Sequence, residues 1–422
     1  MEKIKTVRQT QASPWTTDMQ TTESWGFQNT PYPQRGNSNR GTENMTAPEG
    51  VVTWAEIDLD AIAANTRAIK QFVGAQTQII ATIKANAYGH NEVQVARTVI
   101  EAGATLLAVH RTIDGVRLRK EGITAPILIL GYTPRTGIPL LVDYHLTPTV
   151  IDREIAELLS EQATYPVPIH VKVDSGMSRY GLFPEEVLDY VKAVSKLPNI
   201  TVQGIFSHFA TADETNRAPM LTQWKTFQSV LEMLEQAGFQ IPLRHICNSG
   251  GVISLPEAHL DAVRPGILLY GLNPSAECQA PFPLHPALTL KSIVVRVRTL
   301  PAGSAIGYGR TYTTKEPLVA ALVPIGYGDG YRRLISNRGA VLIHGQRAPI
   351  CGRVSMDQVV VDVSHIPDVQ IEDEVVVIGE QGSEKITPEE VAQWAETINY
   401  EVLTSLHPQV VRVYHKDGSF NG

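Results

Sequence analysis

The chain has 422 residues, 43% hydrophobic and 19% charged, enough to bury a large core and hold two domains. A formal net charge of −7 argues against a nucleic-acid partner, whose phosphates demand a basic face. No stretch reaches the roughly 20 apolar residues of a membrane span, and the N-terminus lacks the apolar core of a secretory signal, so a cytoplasmic protein with no membrane contact is expected.

Residues 1–50 are rich in Thr, Gln, Asn, Ser, Pro and Gly without aliphatic periodicity, and read as a disordered polar extension. A transit peptide is the weaker alternative, because Glu2, Asp18, Glu23 and Glu43 are acidic. Trp15, Trp25 and Phe27 could anchor a partner, but none is identifiable. From residue 53 short β-branched runs alternate with helix-period segments, an α/β rhythm. The run Thr53–Asp58 comes first and could pair with the C-terminal part of the chain.

The next candidate strand, 79–83, ends on Lys84. An ammonium on an apolar strand costs several kcal/mol to desolvate, which points to a neutralised, paired or covalently used amine. A lysine escaping to solvent at the strand end is the ordinary alternative. A helix over 91–102 follows, with Val95, Val99 and Ala102 on one stripe and Gly103 as its terminator. Further strands are expected at 106–109, 127–130, 146–150, 169–173, 202–206, 244–247 and 262–264. Eight strands with intervening helices suit a closed parallel (β/α)8 TIM-like barrel over residues 51–285, with its site at the strands' C-terminal ends. Lys84, the segment Lys172–Arg179, His208, Asn248, Ser249 and Arg264 all fall there.

After residue 285 successive strands at 288–297, 318–323, 340–343, 359–363 and 375–378, with one helix at 388–398, make 286–422 a second, mostly β domain. Cys247, Cys278 and Cys351 form no CxxC pair and no metal-ligand spacing, so reduced structural thiols and no metal are expected. Several segments have an ordinary and a chemical reading. Val263-Arg264-Pro265-Gly266-Ile267 is a turn, or a turn whose amides cradle a phosphate. Asn248-Ser249-Gly250-Gly251 is a helix cap or a second phosphate contact. His208 between aromatics reads as core, and Tyr308 in Ile306–Tyr312 as a hairpin tyrosine. The glycine-rich run 324–331 lacks the strand-to-helix setting of a nucleotide loop.

The segment Ile83-Lys84-Ala85-Asn86-Ala87-Tyr88-Gly89-His90 resembles the pyridoxal-phosphate attachment motif of alanine racemases, and similar motifs span about residues 53–415. The resemblance implies Lys84 as the Schiff-base lysine and the base on the D side. It implies Tyr308 as the base on the L side, contributed by the partner of a head-to-tail homodimer. Arg264 is implied to face the pyridine nitrogen. Tyr88, Asn248, Ser249, Gly266, Ile267 and Tyr400 are implied around the cofactor, with Ser249, Gly266, Ile267 and Tyr400 at its phosphate. His208 is implied to bridge Arg264 and the tyrosine. Arg179 is implied at the substrate carboxylate, Met356 in the carboxylate pocket, Tyr327 as a gating residue, and Lys172 as a carbamylated lysine. Interconversion of L- and D-alanine for cell-wall precursors is the implied activity. A phenol gives up its proton near neutrality only beside cations, which Arg264 and His208 would provide. A guanidinium can only donate, so Arg264 would leave the ring nitrogen unprotonated and favour reprotonation over transamination.

Departures from the pattern include Asn91 in place of glycine, Ser355 where cysteine is common, Asn248–Gly251 in place of an NSAA-like run, and an atypical Leu406–Val411. They bear on fine substrate preference. A broad-specificity or serine racemase stays open, with Tyr400 narrowing the pocket toward alanine. A fold-related decarboxylase would present an acid, not Arg264, to the ring nitrogen. A single-barrel cofactor carrier would lack residues 285–422.

Overall fold

The computed structural model describes residues 47–421, so most of the polar extension, including Trp15, Trp25 and Phe27, lies outside the described residues. Strand β1, Thr53–Asp58, leads into a 15-residue helix, Leu59–Val73, capped by the Asp58 carboxylate, which accepts from the Ala61 N–H at 2.8 Å. Eight parallel strands follow: β2 Gln78–Thr82, β3 Leu106–Val109, β4 Ile127–Ile129, β5 Thr147–Pro148, β6 Val167–Lys172, β7 Ile200–Phe206, β8 Leu243–His245 and β9 Ala262–Val263. Each falls on an expected run, although β5 keeps only two residues of 146–150.

The strands close on themselves. β5-β4-β3-β2-β9 form one arc and β6-β7-β8 the other. A parallel bridge between Thr149 and His170, with Val150 N–H to His170 O at 2.9 Å, joins β5 to β6. Arg264 N–H to Cys247 O at 2.9 Å and Asp261 N–H to Arg244 O at 3.2 Å join β8 to β9. The barrel residues are apolar in continuous runs, Ile79-Ile80-Ala81 and Ile127-Leu128-Ile129 being wholly buried, as strands covered on both faces require.

The C-terminal part is built on an eight-stranded sheet in which Leu288–Ile293 buries alternate residues, the period of a half-covered strand. β1 lies in this sheet, antiparallel to Leu288–Ile293 and parallel to Val411–Lys416. The first described strand is therefore tied to the last part of the chain before the barrel begins. A three-stranded sheet of Arg296–Leu300, Leu318–Val323 and Val359–Asp362 packs beside it. The single strand expected over 288–297 is thus two strands in different sheets, because the chain changes partners at Val294-Val295. The helix expected over 388–398 stops at Trp394, with Glu396 at φ 53° just after it, and a separate helix, Asn399–Thr404, follows beyond the expected range. Among the described residues no helix is long and apolar enough to cross a membrane.

Candidate active site

Lys84 leaves the end of β2 through a turn that sequence reasoning missed. Ala85, Asn86, Ala87 and Tyr88 all have φ between 52° and 54°, one turn of left-handed helix with no glycine in it. Such backbone costs about 1–2 kcal/mol per residue, so its neighbours must hold it. Ala87 N–H donates to Ile83 O at 2.9 Å, Asn86 Oδ1 accepts from Glu92 N–H at 3.1 Å, and the Tyr88 ring packs 4.8 Å from that of Tyr270. Asn91 then opens the helix Glu92–Glu101 at φ 77°, its side chain accepting from the Val93 and Gln94 N–H groups. The left-handed φ explains why glycine or asparagine suits that position.

The Lys84 amine enters a cavity of about 640 Å3 at the C-terminal ends of the barrel strands. Lys172, Arg179 and Arg264 line the same cavity, with Tyr88, His208, Asn248, Ser249, Gly266 and Tyr400. Among the described residues its lining holds four cations and no carboxylate. Burial, then Arg179 and Arg264, hold the Lys84 amine below the ordinary lysine range.

Arg264, 4% exposed, ends β9 and is tied on several sides. Its Nη1 donates to His245 Nδ1 at 2.6 Å. Its Nη2 donates to Ser207 O at 2.7 Å, Ile246 O at 3.1 Å and His208 Nδ1 at 3.2 Å. Burial brings the guanidinium down to about 10, which leaves it charged at neutrality. Burial, then Arg264, push His208 and His245 well below the usual histidine range, so both imidazoles are neutral. His208 Nε2 faces Asn248 Nδ2 at 3.5 Å. That amide also donates to Phe209 O at 3.2 Å while Asn248 Oδ1 accepts from Gly251 N–H, so the amide presents N–H to the imidazole. With His208 Nδ1 accepting from Arg264, its own Nε2–H looks for an acceptor elsewhere.

In the same lining the Gly266 N–H donates to Ser249 Oγ at 2.9 Å. A Cβ at 266 would lie 2.4 Å from Tyr88 Oη, so only glycine lets these segments approach. A Cβ at 251 would lie 2.8 Å from the Phe209 ring, a packing reason for the second glycine of the Asn248–Gly251 run. Ile267 is buried at the start of the turn Ile267–Tyr270 and is not in the cavity lining. Asp174 Oδ1 accepts from the N–H groups of Gly176, Met177 and Ser178 at 2.9–3.0 Å, fixing the loop that carries Arg179.

Three expected residues lie elsewhere. Tyr308, Tyr327 and Met356 are 70%, 43% and 54% exposed on neighbouring loops of the β region, where Tyr327 N–H donates to Ser355 O and Gly328 N–H to Met356 O. None of them lines the cavity within one chain. Sequence reasoning missed His110, Tyr132, Tyr180 and Phe206, which do line it. Phe206 and His110 stand at or just past the ends of β7 and β3, a signal that strand position could have supplied.

The sequence matches the family described as "Alanine racemase, N-terminal domain" over residues 57–274 and "Alanine racemase, C-terminal domain" over 287–414. It is 44% identical to the alanine racemase of Halothermothrix orenii over 365 residues, covering 86% of this chain and 96% of that one. It is 43% identical to that of Methanococcus maripaludis over 366 residues, covering 86% and 98%. The fold superposes on alanine racemase of Clostridium difficile with a TM-score of 0.85 at 38% identity, covering 89% of this chain and 98% of that one. On the Bacillus anthracis alanine racemase with bound L-Ala-P the TM-score is 0.84 at 38% identity, covering 89% and 97%. The match thus runs through the barrel and the β region along nearly the whole length of these relatives, and the chain belongs to the alanine racemase family.

Proposed function

We propose that this chain interconverts L- and D-alanine with pyridoxal 5′-phosphate, using Lys84 as the base on the D side and Tyr308 of a second copy as the base on the L side. The observation that carries the reading is the lysine-bearing cavity lined by four cations and no carboxylate among the described residues. That lining fits a phosphorylated cofactor together with an amino-acid carboxylate. When bound, the cofactor supplies a pyridine ring that takes up the electron pair left when the α-proton departs.

The chain's own residues supply the rest. Lys84 is held toward its neutral form, so its Nζ would hold the cofactor at its aldehyde carbon, with loss of water, and as a free amine would carry a proton at one face of Cα. Arg264 has no lone pair and is pinned through His245, Ser207 and Ile246, so it offers the ring nitrogen an N–H and no proton. Ser249, Gly266, Tyr88, Tyr400 and Asn248, which line the cavity, form the cofactor and phosphate contacts, with Ile267, just outside the lining, adding its backbone N–H. Arg179 takes the substrate carboxylate. Residues 51–285, less the strand Thr53–Asp58 that joins the β region, form the cofactor half, and 286–422 the half that bears Tyr308, with 1–50 as a polar extension.

A homodimer with shared sites is part of the proposal. Its support is the exposure of Tyr308, Tyr327 and Met356 away from their own chain's cavity, and a His208 Nε2–H that, among the described residues, faces the donor amide of Asn248. A phenolate from the partner chain is the acceptor it lacks. An isologous pair yields two equivalent sites and closes without further assembly. Lys172 Nζ donates to Tyr180 O at 2.6 Å, and burial, then Arg264, lower it to about 8. That supports carbamylation, in which the neutral amine adds carbon dioxide and releases a proton. A cytoplasmic role supplying D-alanine to peptidoglycan completes the reading.

Chiral chromatography of L-alanine incubated with the purified, cofactor-loaded protein tests it. Decay to equal L and D alanine is expected. A stable L-alanine pool overturns the proposal, and faster racemisation of L-serine replaces it with the serine reading.

A further inference from the structure

Behind Arg264, inside the barrel, lie two histidines: His245, which pins Arg264, and His170, which no role above uses. A register shift between Ile169 and His170 in the pairing of β6 with β7 sets His170 opposite Gly204. A Cβ at 204 would lie 2.5–2.6 Å from the His170 ring, so the glycine makes room for the imidazole. His170 Nδ1 meets His245 Nε2 at 3.0 Å, and both rings are fully buried. His245 stacks on Phe206 at 4.9 Å with 6° between the planes, and Phe206 in turn lies 5.0 Å beneath the Arg264 guanidinium.

The proton positions along this chain follow from Arg264, which has only donors. His245 Nδ1 must accept from it, so a neutral His245 carries its proton on Nε2 and donates to His170 Nδ1. His170 then carries its own proton on Nε2, which finds no acceptor among the described residues. Burial first and Arg264 second push His170 down to about 3, in keeping with a neutral ring. A buried N–H without a partner costs stability, so this arrangement calls for a compensating use.

We propose that His170 is a positioning residue for the reaction: by accepting from His245 Nε2 it locks the tautomer that receives Arg264, and so fixes the direction in which Arg264 donates into the cavity. Without that acceptor His245 can carry its proton on Nδ1, where it opposes an Arg264 N–H at 2.6 Å and turns the guanidinium aside. The inference rests on the reading of Arg264 as the group facing the cofactor ring.

The test uses the full-length, cofactor-loaded protein with 15N-labelled histidine, reading the His245 tautomer by long-range 1H–15N correlation beside kcat and KM for alanine. In His170→Phe the ring volume stays and the acceptor goes. Mixed His245 tautomers and a kcat lowered about tenfold at unchanged KM are expected. His170→Asn, whose Oδ1 replaces Nδ1, should restore both, while His170→Gln should not. The Asn and Gln pair decides the question if the Phe variant fails to fold. A single Nε2–H tautomer in His170→Phe or His170→Gln, or a wild-type kcat there, overturns the proposal. If Arg264→Gln also keeps wild-type kcat, the reading of Arg264 fails as well, which separates the two.

Discussion

Gly266→Ala isolates one contact of the proposed phosphate cradle. Gly266 has φ −118° and ψ −87°, outside the ordinary α and β regions, so alanine there meets backbone strain as well as a clash. Its Cβ would stand 2.4 Å from Tyr88 Oη and 3.0 Å from Tyr88 Cζ, about 1 Å inside ordinary contact. Tyr88 cannot swing clear. Its ring packs 4.8 Å from Tyr270, whose hydroxyl is tied to Thr82 O at 3.2 Å, and 6.1 Å from Tyr400. Gly266 itself is held by Ser249 at 2.9 Å. Overpacking of this kind costs about 1–3 kcal/mol. If the strain falls on the cradle, the cofactor Kd rises by about 5–150-fold. Titration of apoprotein with pyridoxal phosphate measures it, with thermal melting alongside. Tyr88→Phe removes the nearest clashing atom, so the double variant should recover much of the loss in stability. A cofactor Kd and a Tm both unchanged in Gly266→Ala would refute the reasoning.

Lys84→Ala should lose the lysine-linked cofactor absorbance and nearly all racemisation; borohydride trapping in wild type that marks another lysine contradicts the assignment. Burial, then Arg264, lower Lys172 to about 8 from the ordinary lysine value of 10.5. Its stabilising share is therefore present above 10.5 and lost as pH falls through 8, about 3 kcal/mol in all. Denaturant unfolding in carbon-dioxide-free buffer should show Lys172→Met gaining on wild type by about that amount at pH 7 relative to pH 10.5, and a gap independent of pH argues against it. With bicarbonate, native mass spectrometry should add one carbamate at Lys172, and a bare amine there removes that idea. Gly271 has φ +79°, and a Cβ there would lie 1.8 Å from the backbone oxygen of His285. Gly271→Ala should cost more than about 3 kcal/mol in stability, and a melting point near wild type would contradict the geometry.

The barrel was legible because most of its strands are short apolar runs that end in a polar residue or a turn, and eight such runs with helices between them leave few architectures. The break at Val294-Val295 was not legible, since the β-branched run continues while the chain passes from one sheet to another. Thr53–Asp58 showed as a strand, but its place between Leu288–Ile293 and Val411–Lys416 depends on contacts more than 200 residues away. The left-handed turn at Ala85–Tyr88 was hidden because its residues carry no glycine and read as ordinary helix formers. Lys84, Arg264, Ser249 and His208 could be picked out by position at strand ends and by family resemblance. His170 and His245 could not, because each is a lone histidine in its strand and only the register of β6, β7 and β8 brings them behind Arg264. Tyr308 could be named from resemblance alone, since a single chain leaves it exposed and away from the cavity.

The most direct test of the opposed, shared bases is complementation between two inactive chains. Lys84→Ala and Tyr308→Phe homodimers should each be nearly inactive. A purified heterodimer, verified by differential tags, should regain alanine racemisation from one site that joins the unaltered Lys84 of one chain to the unaltered Tyr308 of the other, at about half the wild-type rate per dimer. Heterodimers as inactive as either parent would contradict the account and confine Tyr308 to its own chain or to no part in the chemistry.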